Sequence, residues 1–222
     1  MTRKQLLIGL VAAAVIALGV VAYFIFAGSG TQTAVPESGG KLTVQLKPTD
    51  RTLGNPKAPV TVVEYAAPSC PHCSRWNAEV FPLLKKNYID TGKVYYVFRV
   101  FPLRPADVAV EAMARCLPAD NYFQFIDLMF RNQEKWDPEY GITDTHAALV
   151  DMGRIAGMSA EQVDTCIGNQ AEQKRATEVG QQASTQYSIN GTPSFIINGE
   201  MRSGEFPWEQ MKNLLDSKLP KK

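Results

Sequence analysis

Histidine is scarce in this 222-residue chain, which contains only His72 and His146. A metal site built mainly from histidines is therefore excluded. An excess of one charge sign is also missing, because 23 lysines and arginines balance 22 aspartates and glutamates and leave a net charge of +1. The composition thus gives no electrostatic reason to expect nucleic-acid binding. Cysteines are few, at positions 70, 73, 116 and 166, and their spacing is the most informative feature of the composition.

A long apolar run stands near the N-terminus, where residues 6–26 carry no charge. A helix of this length spans about 30 Å, the thickness of a bilayer's hydrocarbon core. Arg3 and Lys4 precede the run, and the next positive residue is Lys41. The positive-inside rule then predicts a cytoplasmic N-terminus and export of everything downstream. A cleaved signal peptide is the alternative, with residues 27–29 as a weak cleavage site.

The chain therefore divides into three predicted parts. Residues 1–26 form an N-terminal membrane anchor or an uncleaved signal, inserted as one transmembrane helix in the inner (cytoplasmic) membrane. Residues 27–41 are rich in glycine, serine and threonine, which is typical of a flexible linker with a reach of about 20 Å. Residues 42–222 contain no internal repeat and are predicted to form one folded, extracytoplasmic or periplasmic domain.

Hydrophobic patterns predict an α/β fold for this domain. Strands are expected at residues 42–46, 59–65 and 94–98, and a helix begins near Pro71 and kinks at Pro82. After Pro102 the hydrophobic period changes to 3.6, which predicts an all-helical block to about residue 168. A polar helix at 170–186, a hairpin turning at Asn198 and Gly199, and a helix at 207–215 follow. This order predicts a mixed sheet with helices on both faces.

The sequence Cys70-Pro71-His72-Cys73 lies where a predicted strand meets a helix. A helix N-terminus carries partial positive charge and unpaired N–H groups, which stabilise a thiolate on the first cysteine. His72 would add to this effect if it is protonated or donates a hydrogen bond. A thiolate of low pKa is a good leaving group, so the disulfide form is oxidising. Cys70 is predicted to be the exposed, attacked sulfur, and Cys73 its buried partner.

Three other uses of this cysteine pair can be weighed. A zinc knuckle needs four ligands, but the remaining cysteines lie 43 and 93 residues beyond Cys73 and are not paired in a second motif. Haem attachment needs a histidine directly after the second cysteine, where this chain has Ser74. An inert structural disulfide remains open, although so short a spacing constrains little chain. We expect no metal and no cofactor other than a redox-active disulfide.

Together, the Cys-Pro-His-Cys motif and residues 191–193, Gly-Thr-Pro, resemble the thioredoxin superfamily. The helical insertion at about 105–168 and the stretches 98–103 and 122–125 look like the DsbA-type family of bacterial thiol:disulfide oxidoreductases. The resemblance covers roughly residues 55–215. It implies a thioredoxin-like fold with an all-helical insertion, preceded here by the predicted transmembrane helix.

The resemblance also implies roles for residues outside the motif. Thr192 and Pro193 would form a cis peptide bond facing the disulfide and bind an extended substrate chain; a trans proline at a strand edge is the alternative. Glu64 resembles the family's buried acid, which could relay protons to Cys73, and an outward-facing strand residue is the alternative. Some members carry a second acid in the first helix, where Asn77 is the nearest match, and this departure weakens the expectation about proton transfer.

The other candidate residues receive structural expectations. Cys116 and Cys166 lie on apolar faces of predicted helices, so in an oxidising compartment we expect a structural disulfide, with two free buried thiols as the alternative. Trp76 and Trp136 are expected to be packing residues rather than site residues. His146, in a polar stretch, is expected at the surface.

These features predict an exported enzyme that passes its Cys70–Cys73 disulfide to thiol pairs in secreted proteins. By resemblance, a quinone-linked membrane protein would reoxidise it. A reductase or isomerase on the same fold is the nearest alternative, because Thr192 before the proline resembles isomerases as much as oxidases. A non-catalytic, peptide-binding chaperone that uses an apolar groove beside the disulfide is a third hypothesis.

Overall fold

The computed structural model describes residues 41–220. The predicted anchor at 1–26 and all but the last residue of the predicted linker at 27–41 lie outside this range. Within it, no helix combines the length and the apolar character needed to cross a membrane.

A five-stranded mixed sheet forms the centre of the domain, in the spatial order β1-β3-β2-β4-β5. The strands are β1 (Arg51–Leu53), β2 (Val60–Ala66), β3 (Val94–Val100), β4 (Ser194–Ile197) and β5 (Glu200–Ser203). Strands β2 and β3 are parallel, and the other neighbouring pairs are antiparallel. The mixed sheet that the sequence predicts is therefore confirmed.

Both faces of the sheet are covered, as the apolar character of its central strands predicts. Along β2, Val62 and Ala66 belong to the larger hydrophobic cluster, whereas Val63 and Tyr65 belong to a second cluster on the opposite face. Successive strand residues point to opposite faces, so the apolar residues of β2 are buried on both.

Helices account for most of the remaining described chain. They are α1 (Pro71–Glu79), α2 (Phe81–Leu84), α3 (Pro105–Cys116), α4 (Tyr122–Arg131), α5 (Gln133–Trp136), α6 (Thr145–Ile155), α7 (Ala160–Ile167), α8 (Gln170–Tyr187) and α9 (Trp208–Lys218). Helices α3 to α7 fill the predicted helical block. Pro82 stands in the first turn of α2, and only Val80 separates α2 from the end of α1, so the helix is interrupted where the sequence predicts a kink.

Local turn and cap signals are reproduced in the structure. Ser159 and Gln162 form a capping box at the start of α7, because each side chain accepts a hydrogen bond from the other residue's backbone N–H. Asn198 and Gly199 have φ angles of 47° and 88°, the left-handed values that a type I′ hairpin turn requires.

The predicted strand at residues 42–46 is wrong. Its alternating apolar residues Leu42 and Val44 pack on the second hydrophobic cluster, but the segment joins no strand of the sheet. Leu42 N–H donates to the Gly199 carbonyl of the hairpin at 2.7 Å, but this bond is not continued as a ladder. The alternation thus reflects burial of side chains without a backbone ladder. The first strand is instead β1, three residues at the sheet edge.

Candidate functional site

Cys70 and Cys73 stand at the start of α1, four residues after β2 ends. Cys70 is the N-cap residue, and its sulfur accepts the backbone N–H of Cys73 at 3.4 Å. Pro71 occupies the first turn, where its missing N–H is not needed. Both cysteines are free thiols. The structure therefore brings the first thiol to a helix N-terminus, as the sequence predicts.

The two thiols differ strongly in acidity. The pKa of Cys70 is lowered to about 6, chiefly by a hydrogen bond from the Cys73 thiol and also by the N–H groups of Cys73 and His72, against the opposing effect of burial. Burial raises the pKa of Cys73 well above its ordinary value, because Cys73 is fully enclosed and faces Cys70 and Glu64. At neutral pH the nucleophilic thiolate therefore belongs to Cys70.

The prediction that Cys70 is an exposed sulfur is wrong. The residue is only 4% exposed, although it is still the more accessible of the pair. The Thr192 carbonyl oxygen lies 3.4 Å from its sulfur, so the loop before β4 covers part of it. The peptide bond between Thr192 and Pro193 is cis, as expected. The Pro193 carbonyl in turn accepts the Gly204 N–H at 2.8 Å, which ties this loop to the end of the hairpin.

The His72 imidazole is directed toward an ion pair and not toward Cys70. Its Nδ1 atom lies 2.8 Å from a guanidinium nitrogen of Arg75 and 3.2 Å from a carboxylate oxygen of Glu205. Arg75 and Glu205 form a salt bridge of 2.7 Å. His72 thus lowers the pKa of Cys70 through its backbone N–H and not, as expected, through its imidazole.

Glu64 lies beneath the cysteine pair in β2 and is 2% exposed, so the outward-facing alternative is wrong. Its carboxylate accepts a hydrogen bond from the Tyr96 hydroxyl. Burial raises the pKa of Glu64 to about 8; the charge of Cys70 adds to the effect, and the Tyr96 bond opposes it. A carboxyl group that titrates near neutral pH next to Cys73 can exchange protons with that thiol.

Side chains from the helical region hold the loop before α1. The buried carboxylate of Asp107 accepts the N–H of Ser69 at 2.7 Å and its hydroxyl at 2.9 Å. The side-chain amide of Gln133 donates to the carbonyls of Pro68 and Cys70 at 2.7 and 2.9 Å. Sequence reasoning missed both residues. The signal for Asp107 was its place in the first turn of α3, where an acid caps the helix.

The remaining candidate residues make packing and hydrogen-bond contacts. Asn77 donates to Asp127 at 2.7 Å. Trp76 is buried against Phe195, and the Trp136 indole donates to a backbone carbonyl. His146 is exposed beside Asp164.

The second cysteine pair is oxidised in the structure. Cys116 and Cys166 form a disulfide with sulfurs 2.06 Å apart, which joins α3 to α7. Within residues 41–220, no cluster of three or more histidine, cysteine or acidic side chains is arranged to hold a metal ion.

Comparisons with known proteins agree with this geometry. The family model described as Thioredoxin matches residues 46–217. A Rickettsia felis protein named as a protein-disulfide oxidoreductase is 34% identical over 185 residues, which cover 81% of this chain and 63% of the relative's length. A Bacillus cereus protein named disulfide bond formation protein D is 30% identical over 178 residues, covering 78% of this chain and 80% of that protein.

A solved structure extends the similarity to the fold. The crystal structure of alpha-DsbA1 from Wolbachia pipientis superimposes with a TM-score of 0.72 at 27% sequence identity. The match covers 78% of this chain and 92% of that one. The likeness therefore includes the helical insertion as well as the sheet.

Proposed function

Since the chain belongs to the thioredoxin family and has a DsbA-like fold with a helical insertion, we propose that it is a protein thiol:disulfide oxidoreductase that donates the Cys70–Cys73 disulfide. The observation that carries this proposal is the asymmetry of the pair. The pKa of Cys70 is lowered to about 6, and that of Cys73 is raised. A stabilised Cys70 thiolate favours the reduced form of the enzyme, so its disulfide is readily given away.

The reaction follows from this asymmetry. A substrate thiolate attacks the Cys70 sulfur, the bond between Cys70 and Cys73 breaks, and Cys73 leaves as a thiolate. Protonated Glu64 supplies the proton that Cys73 takes up. A second substrate thiolate then attacks the substrate sulfur of the mixed disulfide, and Cys70 leaves as a stable thiolate. The substrate loses two electrons and gains a disulfide, and the enzyme becomes a dithiol.

Substrate binding is assigned to the loop before β4. The Thr192 carbonyl lies 3.4 Å from the Cys70 sulfur, so a chain bound along Thr192 and Pro193 would meet the reactive atom. The backbone groups of the loop support a role in holding an extended substrate.

The cellular setting belongs to the same proposal. Residues 6–26 would anchor the protein in the inner membrane with the catalytic domain outside the cytoplasm, where reduced secreted or periplasmic proteins are its substrates. A quinone-linked membrane protein would reoxidise Cys70 and Cys73. The disulfide between Cys116 and Cys166 supports an oxidising compartment, since such bonds are rare in the cytosol.

The redox equilibrium of the full-length protein with glutathione tests the direction of the reaction. The reduction potential of thioredoxin is about −270 mV. We expect a value well above this one, because the low pKa of Cys70 stabilises the dithiol form. A value near that of thioredoxin would contradict the oxidase assignment and favour a reductase. Isomerase activity is measured separately, as reactivation of a protein with scrambled disulfides.

Two cysteine variants test the assigned roles. Cys70→Ser should lose oxidation of a dithiol peptide entirely. In Cys73→Ser, the Cys70 thiolate should attack a disulfide-bonded substrate, release one substrate thiolate and remain as a stable mixed disulfide, because the enzyme has no second thiol to resolve it. A peptide-binding chaperone would instead retain its activity in the Cys70→Ser protein, so suppression of aggregation is measured in parallel.

A further inference from the structure

Glu64 has an unusual set of neighbours for a buried acid. Its hydrogen-bond donor is the hydroxyl of Tyr96 on β3, and within residues 41–220 no lysine, arginine or histidine forms an ion pair with it. Cys70 and Cys73 of α1 are the titratable groups that face it from above, and its β4 neighbour in the sheet is the apolar Phe195. One phenol therefore provides the hydrogen-bonded stabilisation of this carboxylate's charge.

Tyr96 is held rigidly in the position from which it donates. Its ring packs against Phe81 and Phe123, with ring centroids 5.1 and 6.0 Å away, and the residue is 3% exposed. Burial and the neighbouring Glu64 raise the pKa of Tyr96 well above its ordinary value, and Tyr122 contributes in the same direction. The phenol therefore keeps its proton and acts as a fixed donor.

We propose that Tyr96 is a positioning residue of the redox reaction, which orients the Glu64 carboxylate below Cys73 and sets the pH range in which Glu64 accepts the Cys73 proton. This proposal rests on the proposed function. The hydrogen bond favours the ionised carboxylate, and ionised Glu64 is the form that can act as a base.

The step concerned is closure of the disulfide when the reduced enzyme is oxidised by glutathione disulfide. The Cys70 thiolate attacks one sulfur of the oxidant and releases a first glutathione thiolate. The Cys73 thiol then transfers its proton to Glu64, and the resulting thiolate attacks the Cys70 sulfur. A second glutathione leaves as a thiolate, and the enzyme has given up two electrons.

The variant Tyr96→Phe removes the donor and keeps the ring that packs against Phe81 and Phe123. The lost hydrogen bond favours the ionised carboxylate, so its removal should raise the pKa of Glu64. We therefore expect the midpoint of the pH profile for disulfide closure to move upward by about one pH unit, which is roughly a tenfold slower closure below the midpoint. Rates are measured by acid quench and mass spectrometry of the Cys70–glutathione adduct in the full-length protein.

The chain offers a matched control. The Tyr122 hydroxyl donates to the buried Glu111 at 2.6 Å, but this pair lies in the helical region and is neutralised by two arginines. Tyr122→Phe deletes the same kind of bond and should leave the closure profile unchanged. Glu64→Gln should remove the part of the pH profile that reflects Glu64 ionisation. The double variant Glu64→Gln, Tyr96→Phe should then close its disulfide with the same pH profile as Glu64→Gln alone.

The outcomes separate this proposal from the proposed function. An upward shift in Tyr96→Phe that is absent from Tyr122→Phe and from the Glu64→Gln background supports it, even if the potential resembles that of thioredoxin. An unchanged midpoint in Tyr96→Phe, equal shifts in both tyrosine variants, or a persistent shift without Glu64 overturns it. If a variant closes too slowly to measure, infrared titration of the Glu64 carboxyl band, identified by its loss in Glu64→Gln, must show the same upward shift.

Discussion

Two buried glutamates in this protein each have a tyrosine hydroxyl as hydrogen-bond donor, but their electrostatic surroundings differ. Glu64 in β2 and Glu111 in α3 are 2% and 1% exposed, and each accepts a hydrogen bond from a buried tyrosine hydroxyl. Glu111 also forms ion pairs with Arg115 and with Arg175, the latter at 2.6 Å. Glu64 faces two cysteines and has no cationic partner among residues 41–220.

This difference matches the structural role of Glu111 and the proton-transfer role that we propose for Glu64. The Glu111 network joins three helices, because Arg115 lies on α3, Tyr122 on α4 and Arg175 on α8. Its charge is satisfied, so it supports packing. Burial without a cation raises the pKa of Glu64 to about 8, so its protonation state changes in the pH range where thiols exchange.

Among the variants that compare Glu64 with Glu111, Glu64→Gln should have the largest effect. In this variant the free energy of unfolding should lose the part of its pH dependence that comes from Glu64. The pKa of Glu64 is about 8 in the folded protein against 4.5 when unperturbed. Its contribution to stability is therefore fully present below pH 4.5 and is lost as the pH rises through 8. The unfolding free energy of the reduced wild-type protein should fall by up to about 5 kcal/mol over this range because of Glu64.

Urea unfolding of the reduced protein between pH 5 and 9 measures this change. The glutamine variant should lack the Glu64 component of the slope. Components from Cys70, whose pKa is lowered to about 6, and from Asp107, whose pKa burial raises, are present in both proteins and are removed by taking the difference of the two curves. Parallel curves for the two proteins would show that Glu64 does not titrate in this range.

Glu111→Gln should have the next largest effect and should act on stability alone. The substitution removes the carboxylate from two largely buried guanidinium groups, a loss of about 3–5 kcal/mol for a buried pair. We expect the lower end, about 3 kcal/mol, because Arg175 keeps a 2.6 Å bond to Glu172. Urea unfolding measures the loss, and the glutathione equilibrium of the folded variant should match the wild type. A changed equilibrium would mean that the two acids are coupled.

The sequence predicts features that depend on neighbouring residues better than features that depend on tertiary contacts, such as the surroundings of these two acids. The Cys70 motif, the capping box at Ser159 and the turn at Asn198 depend on residues close together in the chain, and all three are present in the structure. Strand β1 was missed because a three-residue edge strand has no periodicity to detect. The segment at 42–46 was misassigned because alternating burial also occurs without strand pairing.

The candidate site was predictable where it follows from the chain's local order. Glu64, six residues before Cys70 in an otherwise apolar strand, was placed beneath the cysteine pair by its resemblance to the family's buried acid. The partner Tyr96 could not, because it comes from another strand 32 residues away. Gln133 reaches the Cys70 carbonyl across 63 residues and carries no local signal. The charged groups around Glu64 and Glu111 differ because of tertiary contacts, which the local sequence does not predict.

The smallest expected effect is a difference between the two tyrosine-to-phenylalanine variants in stability. At pH 6 Glu64 is largely protonated, since its pKa is about 8, so Tyr96→Phe removes a bond between neutral groups worth about 1 kcal/mol. At pH 9 the same substitution removes a bond to a carboxylate, and the loss should rise to about 2 kcal/mol. Tyr122→Phe, whose carboxylate partner is ion-paired with two arginines, should lose the same free energy at both pH values. Urea unfolding of the reduced proteins at the two pH values measures all four losses. If both variants respond equally to pH, the missing cation is not what distinguishes Glu64 from Glu111.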